Sequence, residues 1–219
     1  MNLRSSSSSL GNEGVASDLL SLLEARQSIG ANRLCEPGPD ASELRRLLTI
    51  ASRVPDHKAV VPWRFIVIQG ESRHLCGTRL AEAYSPWLRQ QHAQWCADNP
   101  DRVETMIANV RTALSKAPVV VIVVNRSNDG ERRPPKWEQD LTVGAVCMNL
   151  IVAATAFGFG SIWLTGWLAV NKSAHAVLGV AQGEAVAGII HIGTPTQRPS
   201  VDRKRPDLAE IVAYWGAGS

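Results

Sequence analysis

In the stretch RVPDHKAVVPWRF, residues 53–65, Pro55 and Pro62 bracket Asp56, His57 and Lys58. Three titratable side chains thus sit in a connection that two prolines stiffen. A loop fixed in that way can aim side chains at a ligand, whereas the plainer outcome is Asp56 capping a turn with His57 and Lys58 solvated. Arg26, Gln27 and Ser28 stand where the first apolar helical stripe stops. An arginine there either satisfies terminal carbonyls or reaches out as a fork for a phosphate. Arg203, Lys204 and Arg205 lie in a proline-rich tail, as a solvated charge run or as further cations closing on the same phosphate. In IWLTG, residues 162–166, Ile162 and Leu164 read as strand core. Trp163 and Thr165 add a flat apolar surface and a hydroxyl beside main-chain donors, which suits a planar heterocycle.

The elements that must position these groups follow from periodicity. Leu19, Leu20, Leu22 and Leu23 form a helical stripe over 17–28 with Ser17 as N-cap. Asp40 and Glu43 have capping-box spacing at the head of a helix over 40–52. Strands are predicted at 65–69 and 118–125, with helices at 71–84, 86–97 and 101–116 between them. The segment 138–157 is apolar or small nearly all the way round, the pattern of a helix buried in a core or against a partner subunit. Its length approaches that of a membrane span, but Glu138, Asp140 and Asn149 and the glycine-punctuated strands beyond it oppose that reading. Strands at 160–167 and 185–195, with a short helix near 172–178, complete an alternating α/β or α+β pattern without internal repeats.

Composition narrows the class. The 219 residues are 45% hydrophobic and 20% charged, which predicts one soluble folded domain over 17–219 behind a disordered tail at 1–16. That N-terminal stretch lacks the apolar run of a secretory signal. A formal net charge of +3 is too small to argue for nucleic acid or a membrane surface. Cys35, Cys76, Cys96 and Cys147 show no Cys-x-x-Cys pair, so they predict reduced thiols in the cytoplasm and neither a zinc site nor a disulfide scaffold. GFGSIW contains Gly-x-Gly, but a helix precedes it and a strand follows, the reverse of a dinucleotide fingerprint. Walker, His-Glu-x-x-His and Gly-x-Ser-x-Gly sequences do not occur.

Taken in order, six stretches resemble the nitroreductase family of FMN-dependent oxidoreductases: Arg26/Ser28, Val54–Phe65, Pro135–Asp140, Gly158–Trp163, Gly193–Pro195 and Arg203–Val212. The resemblance is to the small single-domain branch with a Pro-Asp-His-Lys loop. It implies an α+β fold, a three-layer α/β/α sandwich around a mixed, mainly antiparallel sheet, assembled as a homodimer with FMN at the subunit interface. It further implies that Arg26, Gln27 and Ser28 hold the ribityl phosphate and chain, and that Arg203 and Arg205 close on the phosphate. Trp163, Leu164 and Thr165 lie along the flavin, and Arg53 and His57 reach it from the other subunit. Relatives often carry a second arginine at the position of Gln27 and a basic residue at that of Leu164.

The implied activity is NAD(P)H oxidation with transfer to a nitroaromatic, quinone or similar small oxidant by a ping-pong cycle. The flavin carries the chemistry and no catalytic residue is assigned; His57 could serve as an acid, but contact with the flavin or the subunit interface is its favoured role. A flavin-storing or flavin-sensing protein without turnover, and flavin-fragmenting or dehalogenating chemistry on the same fold, are the alternatives. No metal site is expected. Residues 84–110, with Trp87, His92 and Trp95, are either a substrate lid or ordinary helical surface.

Overall fold

In the apolar run 119–125, successive side chains belong to different cores because the strand lies inside a sheet covered on both faces. The computed structural model describes residues 9–216, with side chains from residue 17 onward. The chain begins with α1 (Ser9–Ala25), a 3-10 turn at Ala31–Arg33, β1 (Leu34–Cys35), α2 (Ala41–Ala51), a second 3-10 turn at His57–Ala59 and β2 (Trp63–Gln69). Next come α3 (Ser72–Gln91), α4 (Ala93–Asp98), α5 (Pro100–Thr112), a 3-10 turn at Ala113–Lys116 and β3 (Val119–Asn125). The long α6 (Lys136–Ala156) precedes β4 (Gly160–Leu164), α7 (Trp167–Val170), α8 (Lys172–Leu178), β5 (Ala185–Pro195) and α9 (Leu208–Ile211).

The sheet runs β1-β5-β3-β2, with β4 also paired to β5. Every pairing is antiparallel among the described residues, so the expected mixed character is absent there. Val119, Val121 and Val123 pack toward α2 and α6, whose Leu44, Leu47, Val143, Cys147 and Leu150 complete that layer. Val120, Ile122 and Val124 face the other way, toward Leu80 of α3 and Ala174 and Leu178 of α8. The result is the three-layer α/β/α sandwich. By length and composition α6 could cross a membrane, but Val146, Cys147, Leu150 and Ala154 are buried in the sheet-facing core. Burial pushes the Cys147 thiol up to about 12.

Several element boundaries differ from the sequence reading. The first helix starts at Ser9 and stops at Ala25, so residues 9–16, expected in the tail, continue the helix; no proline interrupts them. The remainder of that expected tail, 1–8, lies outside the described residues. The helices expected at 71–84 and 86–97 are redistributed as α3, which runs through Pro86 to Gln91, and the short α4. The strand expected at 160–167 ends at Leu164, because Gly166 adopts φ +78 and turns the chain into α7. The capping box of α2 is as the spacing predicts, with Asp40 Oδ1 accepting from Glu43 N at 2.8 Å and Glu43 Oε2 from Asp40 N at 2.9 Å.

One ion pair ties an outer strand to the opposite turn. Arg64 of β2 donates through Nε to Glu184 Oε1 at 2.8 Å and through Nη2 to Gly179 O at 2.7 Å. The Arg64 hydrogen bond holds the Glu184 carboxyl well below its ordinary range, at about 2. A depressed carboxylate stabilises the fold above its unfolded value, and that contribution is lost as pH falls from 4.5 toward about 2. Denaturant unfolding across that window is expected to show about 1–3 kcal/mol of pH-dependent stability that the Glu184→Gln variant lacks. An equal acid slope in both proteins would contradict this assignment.

Candidate functional site

The segment 26–33 is stitched to two strands by its backbone. Ile29 N donates to Ser161 O of β4 at 3.0 Å, and Thr196 N, just past β5, donates to Arg33 O at 2.9 Å. Gly160 permits this approach, since a Cβ there would lie 2.8 Å from Leu34 Cδ2 and 3.0 Å from Ile29 Cδ1. Along the other residues of β4's outer edge, Ile162 to Leu164, no strand pairs among the described residues.

Two clefts beside these attachments share Asn32 in their lining. One, of about 440 Å³, is polar and is lined by Gln27, Ser28, Asn32, Arg33, Gln197 and Arg203 among others. The second, of about 320 Å³, is mostly apolar, with Ile162, Leu164, Leu168 and Ile189 as walls. Thr165, Lys116 and His191 add its polar groups. A groove with a cationic, hydroxyl-bearing end and a flat apolar end suits an elongated ligand that joins an anion to a planar ring.

Of the residues singled out in the sequence, Gln27, Ser28 and Arg203 share the polar cleft, and Leu164 and Thr165 share the apolar one. Arg26 lines an adjoining cleft with Arg198, Thr155 and Phe159. Trp163 is separated from Leu164 by strand alternation: Leu164 pairs with Ile189 toward α3, whereas Trp163 pairs with Ile190 toward α6. Its indole crosses Gly188 and donates to Ala187 O at 3.0 Å. Arg205 lines neither cleft. It donates to Asp202 Oδ1 at 2.9 Å, and the same carboxylate oxygen accepts from Gln27 Nε2 at 3.0 Å. Gln27 therefore fastens the tail to the head of the groove.

Arg53 and His57 line neither cleft either; their loop lies along α6. Asn149 Nδ2 donates to Arg53 O at 2.9 Å, Thr142 Oγ1 to Pro55 O at 3.1 Å, and His57 Nδ1 lies 2.8 Å from Glu138 Oε2. Glu138, Thr142 and Asn149 share one face of the helix by their spacing. Lys58, Ala59 and Val61 have φ of 62, 51 and 47, a left-handed conformation that costs a β-branched residue on the order of 1–3 kcal/mol. Asp56 Oδ2 accepting from Val61 N at 2.8 Å and Arg126 Nη2 donating to Val61 O at 3.1 Å hold the loop in it.

Trp87, His92 and Trp95 line a separate shallow pocket of about 330 Å³ with Tyr84, Leu88 and Met106. Trp167 joins the cluster, its ring centroid 4.8 Å from that of Tyr84. Asn32, Arg33, Lys116 and His191 are groove residues that the sequence reading missed. Arg33 and Lys116 are single cations just ahead of β1 and β3, and that placement was the available signal.

A model of the nitroreductase family matches residues 34–194. The chain is 33% identical over 198 residues, 90% of its length and 100% of the relative's, to the Escherichia coli K12 protein named "Putative NAD(P)H nitroreductase YdjA". Among solved structures it is similar to a nitroreductase-like family protein from Bacillus cereus, with a TM-score of 0.71, 19% identity and coverage of 99% of this chain and 100% of that one. It is also similar to the FMN and NADPH-dependent nitroreductase NfnB from Sphigopyxis sp. strain HMH, with a TM-score of 0.63, 20% identity and coverage of 90% and 99%. The chain belongs to the nitroreductase family.

Loop anchoring on α6 is directly testable. Asn149→Ala removes the donor to Arg53 O and is expected to cost about 1–2 kcal/mol. Amide exchange across 54–61 rises with it, and unaltered exchange there would count against the anchor.

Proposed function

We propose that the protein is an FMN-dependent NAD(P)H oxidoreductase that reduces nitroaromatics, quinones or similar small oxidants. The groove carries this reading, because its cationic polar end and apolar end share Asn32 in their lining. Such a donor set matches a phosphate joined to a planar ring, so the residues present fit FMN. When bound, FMN supplies hydride acceptance from NAD(P)H and redelivery to the oxidant, the two substrates taking turns in one place. Ser28 and Arg203 hold the phosphate, and Arg33 adds positive charge at the end where Gln27 has none. Arg26 supports this end from the adjoining cleft. Gln27 and Arg205 act through Asp202 by securing the tail that carries Arg203. Leu164 and the other apolar walls exclude water from the ring, and Thr165 adds a hydroxyl beside it.

A homodimer completes the proposed site, with Arg53 and His57 of one subunit reaching the FMN held mainly by the other. The support is apolar surface that one chain leaves uncovered. Trp137, Leu141 and Met148, exposed by 63%, 66% and 42%, form a stripe along α6 on the side away from the sheet. Leu208, Ile211, Tyr214 and Trp215 in the tail are exposed as well. Exposed apolar side chains aligned along one helix face in this way suit an association surface. The proposed compartment is the cytoplasm, consistent with four free cysteines.

Initial rates of NADPH oxidation at several fixed concentrations of a quinone are expected to give parallel double-reciprocal lines, and intersecting lines would contradict alternating occupancy. Arg203→Ala is expected to weaken FMN binding about tenfold or more, the worth of one charge-assisted hydrogen bond, while riboflavin binding changes little. Equal losses for FMN and riboflavin would displace Arg203 from the phosphate. Leu141→Asp is expected to shift the protein from dimer to monomer in sedimentation velocity, and a persistent dimer would place the interface elsewhere.

A further inference from the structure

The apolar cleft is lined by one side chain that carries a fixed positive charge. Lys116 ends the 3-10 turn Ala113–Lys116 and lines the cleft together with Leu164 and Thr165. It forms no ion pair among the described residues, so its charge is not already spent on a carboxylate. The turn is fastened from below. His191 of β5, only 2% exposed, donates through Nε2 to Ala113 O at 3.0 Å. Burial pushes the His191 pKa down, the main-chain hydrogen bonds at Ala113 and Ile189 act the other way, and the Lys116 charge adds to the lowering, which puts the ammonium within electrostatic reach of the imidazole. Two residues of one cleft, contributed by a strand and by the turn lying on it, thus fix where a single cation sits.

The walls around that cation are apolar, with Ile162, Leu164, Leu168 and Ile189 contributing no charge. Lys116 is exposed on its turn, so water screens its charge in part, and the apolar walls strengthen its effect only on the side of the cleft. A ring that gains negative charge when reduced is stabilised there by an amount that depends on Lys116. Leu164 offers no such charge from β4, so at this end of the groove the cation comes from the turn preceding β3.

We propose that Lys116 is the electrostatic partner of the flavin ring in this chain, raising the reduction potential of bound FMN, and that His191 is the positioning residue that holds its turn in place. The proposal rests on the FMN reading given above. It requires neither Lys116 nor His191 to exchange a proton with a substrate.

The test is an anaerobic redox titration of the FMN-loaded protein against reference dyes, for wild type, Lys116→Gln and Lys116→Arg. Lys116 is exposed at the surface of its turn, so neither substitution opens the core. Removing the charge is expected to shift the oxidised-to-reduced equilibrium about tenfold, which lowers a two-electron midpoint by about 30 mV. Lys116→Arg is expected to stay near wild type. His191→Leu, which loses the donor to Ala113 O, is expected to move the potential in the same direction by less; if that core variant does not fold, the Lys116 pair carries the test. Full FMN occupancy with equal potentials in wild type and Lys116→Gln would overturn this proposal and leave the FMN reading standing. A wild-type protein that takes up no FMN would overturn both.

Discussion

The structure depends on β5 being paired along both edges. Its eleven residues bond β3 over Val119–Asn125, β4 over Gly160–Leu164 and β1 at Leu34–Cys35. Burial on both faces demands apolar residues throughout, and Ile189, Ile190 and Ile192 supply them. The outer strand β4 takes its position from this strand by pairing, and the segment 26–33 is in turn fixed to β4 by the Ile29–Ser161 bond and to the residue just past β5 by the Arg33–Thr196 bond. The groove is the space left where those three pieces meet. It is therefore a consequence of sheet pairing more than of any loop's own preference.

The same dependence explains how the charges are arranged. Neither cation of the groove missed in the sequence belongs to a long regular element. Arg33 and Lys116 sit in single 3-10 turns that precede β1 and β3, and each turn is held by a backbone or histidine contact to β5 or the residue after it. Positive charge is thus supplied by the strand-entry turns, although Gln27 and Leu164 are uncharged. Gln27 still has a structural part, since its amide meets Asp202, and Asp202 in turn engages Arg205. One carboxylate orders the tail from both sides.

Elements with strong periodicity were legible in the sequence. The double-faced strand at 119–125, the capping box of Asp40 and Glu43, and the apolar helix beginning near 138 all carry signals set within a few residues. What was hidden required three-dimensional information. Pro86 lies inside α3, where the usual penalty of proline in a helix argued for a boundary. Trp163 and Leu164 adjoin in sequence but face opposite layers, and only the exact end of β4 and its pairing with β5 show which layer each occupies. Arg53 and His57 carried a sequence pattern pointing to a site, yet their loop is anchored on α6, away from the groove of their own chain.

The measurement that bears most directly on this account is the visible absorption spectrum of the protein reconstituted with FMN, recorded anaerobically before and after NADPH. The expected result is flavin bands that bleach with NADPH and recover when a quinone or nitroarene is added. Bands that neither NADPH nor NADH alters, or a protein that retains no flavin, would contradict it.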